Sequence, residues 1–226
     1  MNVLKRLKYF FLPQVLETFH SKYNGDISVV SDRGRIRLVI GGLTQSGQLV
    51  DKIWTKGITY LRKDKQFRPE SCLILGLGGG TAAKLISDTW PGIKIFGVEI
   101  DPAIIRLGKK YLGLGEIKNQ KIIIADAVTF VRKSRKKFNL IIVDTYRGDQ
   151  IPSEMLTEKF IKVLVEHLTQ KGVIIFNLLF YTPQTRQIAQ DLVKKLNVYN
   201  IVLLRELTNL LVVVHPNPFP SHPDNL

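Results

Sequence analysis

Four glycines and a series of acids at the ends of apolar runs carry the chemistry of this chain. Gly76, Gly78, Gly79 and Gly80 follow directly after the apolar run 72–75. Glycine reaches positive φ without a steric penalty and lets a ligand approach the backbone closely. A helix is expected to start near Thr81, and the free N–H groups of a helix start favour polar or anionic ligand groups. The next apolar run, 95–98, ends at Glu99 and Asp101. A carboxylate about 20 residues past such glycines is the usual acceptor for ribose hydroxyls. Acids recur further on, with Asp126-Ala127 closing the run 121–125 and Asp144 closing 140–143. In an open parallel sheet the carboxyl ends of the strands line the ligand crevice. The pattern therefore points to a nucleotide-binding α/β unit, with Asp126 placed to accept from an exocyclic amine such as the adenine N6. Asp144 falls nearer a reacting end.

The elements that must position these groups alternate along the chain. Residues 25–49 have a β pattern, in which Ile36, Leu38 and Ile40 alternate with Arg35, Arg37 and Val39. A helix over 50–61 gathers Ile53, Trp54, Gly57, Ile58 and Leu61 on one side. A polar linker, 62–70, leads to the apolar strands. Helices are expected over 102–111, opened by Asp101-Pro102 as N-cap and first residue, then over 128–136, 153–168 and 182–196. Lys171-Gly172 would mark the end of the third of these. The runs 198–205 and 210–214 read as a closing antiparallel pair. The division is an N-terminal helix and small β domain at 1–66, a nucleotide-binding domain at 67–214, and a proline-rich tail at 215–226.

Composition narrows the class further. The chain has 226 residues and 45% hydrophobic content, enough for a sizeable core. No run approaches the ~18 apolar residues needed to span a bilayer. A basic and apolar start, 1–19, lacks the long apolar region and small-residue site of a secretory signal. It reads as a surface helix packed on the β domain, with membrane contact as the alternative. The single cysteine, Cys72, lies in a core strand and reads as an inert buried thiol; a cytoplasmic location is expected. The formal net charge of +14 favours anionic partners. The basic residues are nevertheless spread over several clusters without interleaved aromatics, so nucleic acid is not the favoured partner.

With these residues in view, the chain resembles the class I S-adenosylmethionine-binding fold and, within it, the spermidine synthase-like family. The upstream segments SKYNGDISVV and RGRIRLVIGGLTQSG resemble that family's small β domain, with Gly34, Gly42, Gln45 and Ser46 on its pattern. GLGGGT, VEID, ADA and VDTYRGDQIP follow in the family's order. The resemblance implies a class I methyltransferase-type (Rossmann-like), mostly parallel seven-stranded sheet behind a small N-terminal β domain. It implies S-adenosylmethionine or its decarboxylated form as cofactor. Glu99 would bind the ribose, Asp126 the adenine, and Gly76, Gly78 and Gly80 the amino-acid end, with Asp101, Ala127 and Gln45 beside them. The implied activity is aminopropyl or methyl transfer in a homo-oligomer, with Asp144 as base or acceptor-orienting group and Trp54, Tyr146, Arg147 and Asp149 around the acceptor.

The departures from the family's pattern point to a different acceptor. Spermidine synthases carry an aspartate in the glycine turn, where this chain has Gly79. Their "D-S-S-D-P" loop has a second aspartate where this chain has Arg147, and their "Y-H-E" segment is Trp54-Thr55-Lys56 here. A polyamine needs carboxylates to replace its hydration, and opposite charges at 4 Å are worth about 4 kcal/mol near a protein surface. With Arg147 and Lys56 in those places, a small acceptor that is acidic or neutral is expected. A nucleic-acid methyltransferase and a non-catalytic nucleotide-binding scaffold are the rival readings.

Overall fold

The computed structural model describes residues 12–216. The chain begins with a four-stranded antiparallel sheet, β1 (Gln14–Ser21), β2 (Gly25–Asp32), β3 (Arg35–Ile40) and β4 (Leu43–Ser46), in that spatial order. Two-residue turns join β2 to β3 and β3 to β4. Arg33-Gly34 have φ of 50° and 75°, and Gly41-Gly42 have 55° and 80°. Positive φ at both central residues matches the twist of the flanking strands.

The helix expected over 1–19 is corrected for residues 14–19, which belong to β1. Pro13 donates no N–H and clashes with a preceding helical turn. The chain instead pairs along β2 from Gln14↔Ser31 to Ser21↔Gly25. The rest of that expected helix, with its membrane contact, falls on residues 1–11 and lies outside the described residues.

Helix α1 (Gln48–Lys63) leads into the larger sheet. There follow β5 (Ser71–Leu75), α2 (Thr81–Thr89), β6 (Lys94–Glu99), α3 (Pro102–Tyr111), β7 (Gln120–Ile124), α4 (Ala127–Lys133) and β8 (Phe138–Val143). The chain ends with α5 (Glu158–Glu166), β9 (Leu168–Leu179), α6 (Pro183–Leu196), β10 (Asn200–Glu206) and β11 (Asn209–His215). The seven strands lie in the order β10-β11-β9-β8-β5-β6-β7. Strands β5 to β9 are mutually parallel, and β11 runs antiparallel to both β9 and β10. The chain winds outward from β5 through β6 to β7, then returns to β8 on the other side. That reversal opens a crevice at the carboxyl ends of β5 and β8.

Alternate residues of each central strand face opposite layers. Leu73, Ile141, Phe176 and Val212 pack with Val131, Leu164 and Leu192 on one side. Ile74, Ile142, Ile175 and Leu211 pack with Trp54, Ile58 and Ile86 on the other. Ile27, Val29, Leu38 and Ile40 of the small sheet pack on Ala103, Ile104 and Leu107 of α3. The small sheet is thus seated against the helix that follows Asp101.

Three further expectations are amended. Residues 153–168 form a 3-10 turn, Ser153–Leu156, and then α5, because the Thr157 side chain accepts from the Phe160 N–H and starts a new helix. Lys171-Gly172 lie inside β9, where the register with β8 jumps from Phe138↔Leu168 to Leu140↔Val173. His215, expected as the start of a loose tail, is the buried last residue of β11; residues 217–226 lie outside the described residues.

Candidate active site

The glycine turn leaves β5 and is fastened to β6 at once. The N–H groups of Gly76 and Leu77 both donate to the Val98 carbonyl, at 2.9 and 3.0 Å. At Gly76 a Cβ would lie 2.2 Å from the Asp144 carbonyl oxygen. Only glycine allows the ends of β5 and β8 to close this tightly. Gly78 has φ +56°, and its N–H donates to Glu99 Oε2 at 2.9 Å. The other oxygen of Glu99 accepts from the Asp101 N–H at 3.0 Å. Burial pushes the Glu99 carboxyl up, against the lowering effect of these backbone donors. A carboxylate has about four lone-pair sites, so Glu99 keeps acceptor capacity for a ligand after pinning the turn.

The small sheet closes the turn from above. Ser46 Oγ accepts from the Gly79 N–H at 2.9 Å and donates to the Gln45 carbonyl at 2.7 Å. Across the pocket Asp126 caps α4, its Oδ1 accepting from the Thr129 N–H at 2.9 Å. Of the residues expected at a donor, Gly76, Gly78, Glu99, Asp126, Ala127 and Gln45 line one cavity. Trp54, Asp144, Tyr146 and Arg147 line the same cavity.

Asp144 is held from both sides. Trp54 Nε1 donates to its Oδ2 at 3.2 Å, and Asn177 Nδ2 donates to its Oδ1 at 2.8 Å. Asn177 is itself oriented by Asn209 Nδ2, which donates to Asn177 Oδ1 at 2.8 Å. Tyr146 Oη donates to the Asn177 carbonyl at 2.6 Å. Removal from water raises the Asp144 carboxyl to about 6; the two donors oppose this and the nearby Glu99 adds to it. The tyrosine hydroxyl, buried beside Asp144, is pushed well above its usual range and stays protonated. Asp144 also lies at a seam. A second cavity shares Gln45, Val50, Asp144 and Tyr146 with the first and runs on toward β9 and the β10–β11 turn.

Several expected residues are not brought to the pocket. Asp101 is buried and spent on the protein: it caps α3 through the Ala103 N–H and accepts from Ser21 Oγ at 2.5 Å and Asn24 Nδ2 at 2.7 Å. It latches the small sheet, whose Tyr23 and Asn24 then reach the cavity. Gly80 sits behind the turn as the left-handed N-cap of α2, with no side-chain cap; a Cβ there would meet Leu114 Cδ1 at 2.5 Å. Asp149 is exposed in the tight turn closed by Arg147 and Gln150. Lys56, read as replacing a pocket acid, lies on the far side of α1 within 4.0 Å of Glu206. At Gly79 an acid would have to push its neighbours aside, since a Cβ would lie 2.5 Å from Leu112 Cδ1 and 2.6 Å from Ser46 Oγ.

Sequence reasoning passed over Asn177 and Asn209 as site residues. Asn177 had the same signal as Glu99 and Asp144, a polar residue closing an apolar run. Asn209 had none, because only the antiparallel pairing Leu211↔Asn177 brings its strand beside β9.

The parallel sheet with an antiparallel closing hairpin, the glycine turn and the acids at successive strand ends define a class I methyltransferase-type fold. The profile described as the Spermine/spermidine synthase domain matches residues 51–210, and the chain belongs to that family. It is 27% identical to a polyamine aminopropyltransferase of Vibrio vulnificus over 113 residues, 49% of this chain and 38% of that protein. The chain therefore matches less than half the length of that curated relative. Among solved structures, a probable spermidine synthase from Corynebacterium glutamicum superposes with a TM-score of 0.78 at 17% identity, covering 94% of this chain and 84% of that one. Human methyltransferase-like protein 13, solved in complex with SAH, superposes with a TM-score of 0.65 at 21% identity, covering 78% of this chain and 86% of that one. Among the described residues no helix is long and apolar enough to cross a membrane.

Proposed function

We propose that the chain is a transferase that binds an S-adenosyl donor in the first cavity and passes a methyl or aminopropyl group to an acceptor held against Asp144. The observation that carries this reading is the position of Asp144, at the seam of two cavities with a nucleotide-type cradle on one side. The cradle suits such a donor. Glu99 retains lone pairs for ribose hydroxyls, Asp126 stands where an adenine amine would lie, and Gly78 presents backbone without a side chain. A relative named as an aminopropyltransferase and a fold neighbour named as methyltransferase-like support transfer from this class of donor.

A bound sulfonium donor would supply an activated carbon, whose bond to sulfur breaks, leaving its electron pair on sulfur, as the acceptor's nucleophile bonds to it. The chain's own work is alignment and proton removal. Trp54 and Asn177 fix the two oxygens of Asp144, so the carboxylate faces the seam in one orientation. With its pKa raised to about 6, Asp144 is ionised at neutral pH yet takes a proton more readily than an ordinary aspartate. The start of α2, which has no side-chain cap, and Arg147 at the cavity favour a donor that keeps its carboxylate, which makes methyl transfer the leading variant.

Isothermal titration of the purified chain with S-adenosylmethionine and with its decarboxylated form tests the reading. Tighter binding of the carboxylated donor supports methyl transfer. The reverse preference supports aminopropyl transfer, and binding of neither overturns the transferase reading.

A further inference from the structure

The second cavity has a composition that its position beside Asp144 makes informative. Of the residues that line it, Asp144 is the sole one that carries a charge at neutral pH. Leu43, Val50, Ile53 and Leu179 make its wall, and Leu49, Tyr181 and Leu207 its mouth. These last three are 49%, 38% and 47% exposed, and all three line this one cavity, so they offer apolar contact to a ligand that enters it. The remaining polar side chains are the neutral ones of Thr44, Gln45, Tyr146, Asn177, Thr208 and Asn209, of which Asn177 holds Asp144 while Asn209 and Tyr146 hold Asn177.

We propose that this cavity binds the acceptor, and that the acceptor is an amine with a single ionisable nitrogen on an apolar frame rather than a polyamine. The inference rests on the transferase reading above and narrows its substrate. One ammonium or amine meets one carboxylate at the seam. The frame lies along the wall of Leu43, Ile53 and Leu179 and emerges between Leu49 and Leu207. A diamine entering the same way would carry its second ammonium into a space with no anion, and a cation moved out of water without a partner is strongly disfavoured. Lys56, which had argued for an acidic acceptor, faces away and pairs with Glu206.

The two readings separate experimentally. Titration with S-adenosylhomocysteine and with methylthioadenosine reports on the donor cavity alone, and failure of both removes the transferase reading without touching the second cavity. Phenethylamine, hexylamine, putrescine and spermidine are then titrated at pH 8, with the better nucleoside present or, if neither binds, with the free chain. The monoamines are expected to bind about tenfold tighter than the polyamines, the scale on which an apolar pocket discriminates. Leu49→Glu and Thr208→Glu each add an acid at an exposed position on the cavity, and each is expected to improve putrescine affinity about threefold, the gain of a partly exposed ion pair. Putrescine binding as tightly as phenethylamine to the unaltered chain, or no gain for putrescine in either variant, overturns the proposal.

Discussion

The two cavities that meet at Asp144 are built in opposite ways. The proposed donor side is a backbone turn held at each N–H: those of Gly76 and Leu77 on the Val98 carbonyl, that of Gly78 on the Glu99 carboxylate, and that of Gly79 on the Ser46 hydroxyl. The acceptor side is made of side chains gathered from β4, α1, β9 and the β10–β11 turn. A cradle of backbone constrains sequence tightly, because few residues fit its φ angles and close approaches. A wall of side chains constrains only volume and charge, and so can be rebuilt for a new ligand without disturbing the fold. In this chain the first cavity is built around the glycine turn, whereas Asp144 is the one charged residue lining the second.

The largest effect is expected where the two sides share a residue. Asp144→Asn keeps the shape and loses the base, so turnover should fall by about 10²–10⁴-fold, the usual contribution of a positioned base. Donor affinity, measured by titration, should stay within a few fold. In the unaltered chain the carboxylate form of Asp144 is lost as pH falls through about 6. The rate should therefore plateau above that pH and decline below it, and a profile that stays flat down to pH 4.5 would show that Asp144 is not the base. Next comes a change confined to the donor side. Glu99→Ala frees the N–H groups of Gly78 and Asp101 and removes the ribose acceptor. Hydrogen bonds to a charged group are worth about 1.5–3 kcal/mol, so nucleoside affinity should fall at least tenfold while monoamine binding is unchanged. Unchanged nucleoside affinity would move the donor out of this cavity.

A smaller change tests whether the donor side can be turned back toward a polyamine site. Gly79→Asp restores an acid where spermidine synthases have one, but its Cβ would press on Leu112 and displace Ser46 Oγ. Overpacking of this kind costs about 1–3 kcal/mol. Denaturant unfolding should show that loss, and putrescine should gain no affinity; a stable variant with improved putrescine binding would mean that the turn, not the second cavity, governs acceptor choice.

The same contrast explains how far the sequence was legible. Glycines at 76 and 78 and the acids Glu99, Asp126 and Asp144 at strand ends are local marks, and the structure gathers these five around one cavity. Asp101 is expected both as an N-cap and beside the donor, because an acid at a strand end and an N-cap acid look alike in one dimension; it serves as the N-cap of α3. Only the packing of Ser21 and Asn24 against it decides which it is. Lys56 was misplaced for a different reason: a helix turns about 100° per residue, so a residue two positions from the buried Trp54 points elsewhere. The acceptor side was least legible, since its residues are separated by up to 167 positions, from Gly42 to Asn209.

Asn209 carries the smallest and most discriminating expectation. It touches neither proposed ligand directly through a charge, and its effect runs through Asn177 to Asp144. Asn209→Ala removes one buried neutral hydrogen bond, worth about 1 kcal/mol, and leaves the Asn177 amide freer to turn. A turned amide would aim its oxygen at the Asp144 carboxylate and raise the pKa of that group further. The lower limb of the pH–rate profile should then move to higher pH, with a loss at neutral pH of about fivefold on that energy scale. Asn209→Asp gives the sharper comparison, because a carboxylate can still accept at that position but cannot donate to Asn177 Oδ1. If stability falls in both variants while the pH profile stays in place, Asn209 serves packing alone, and the alignment of Asp144 rests on Trp54 and Asn177 without further support.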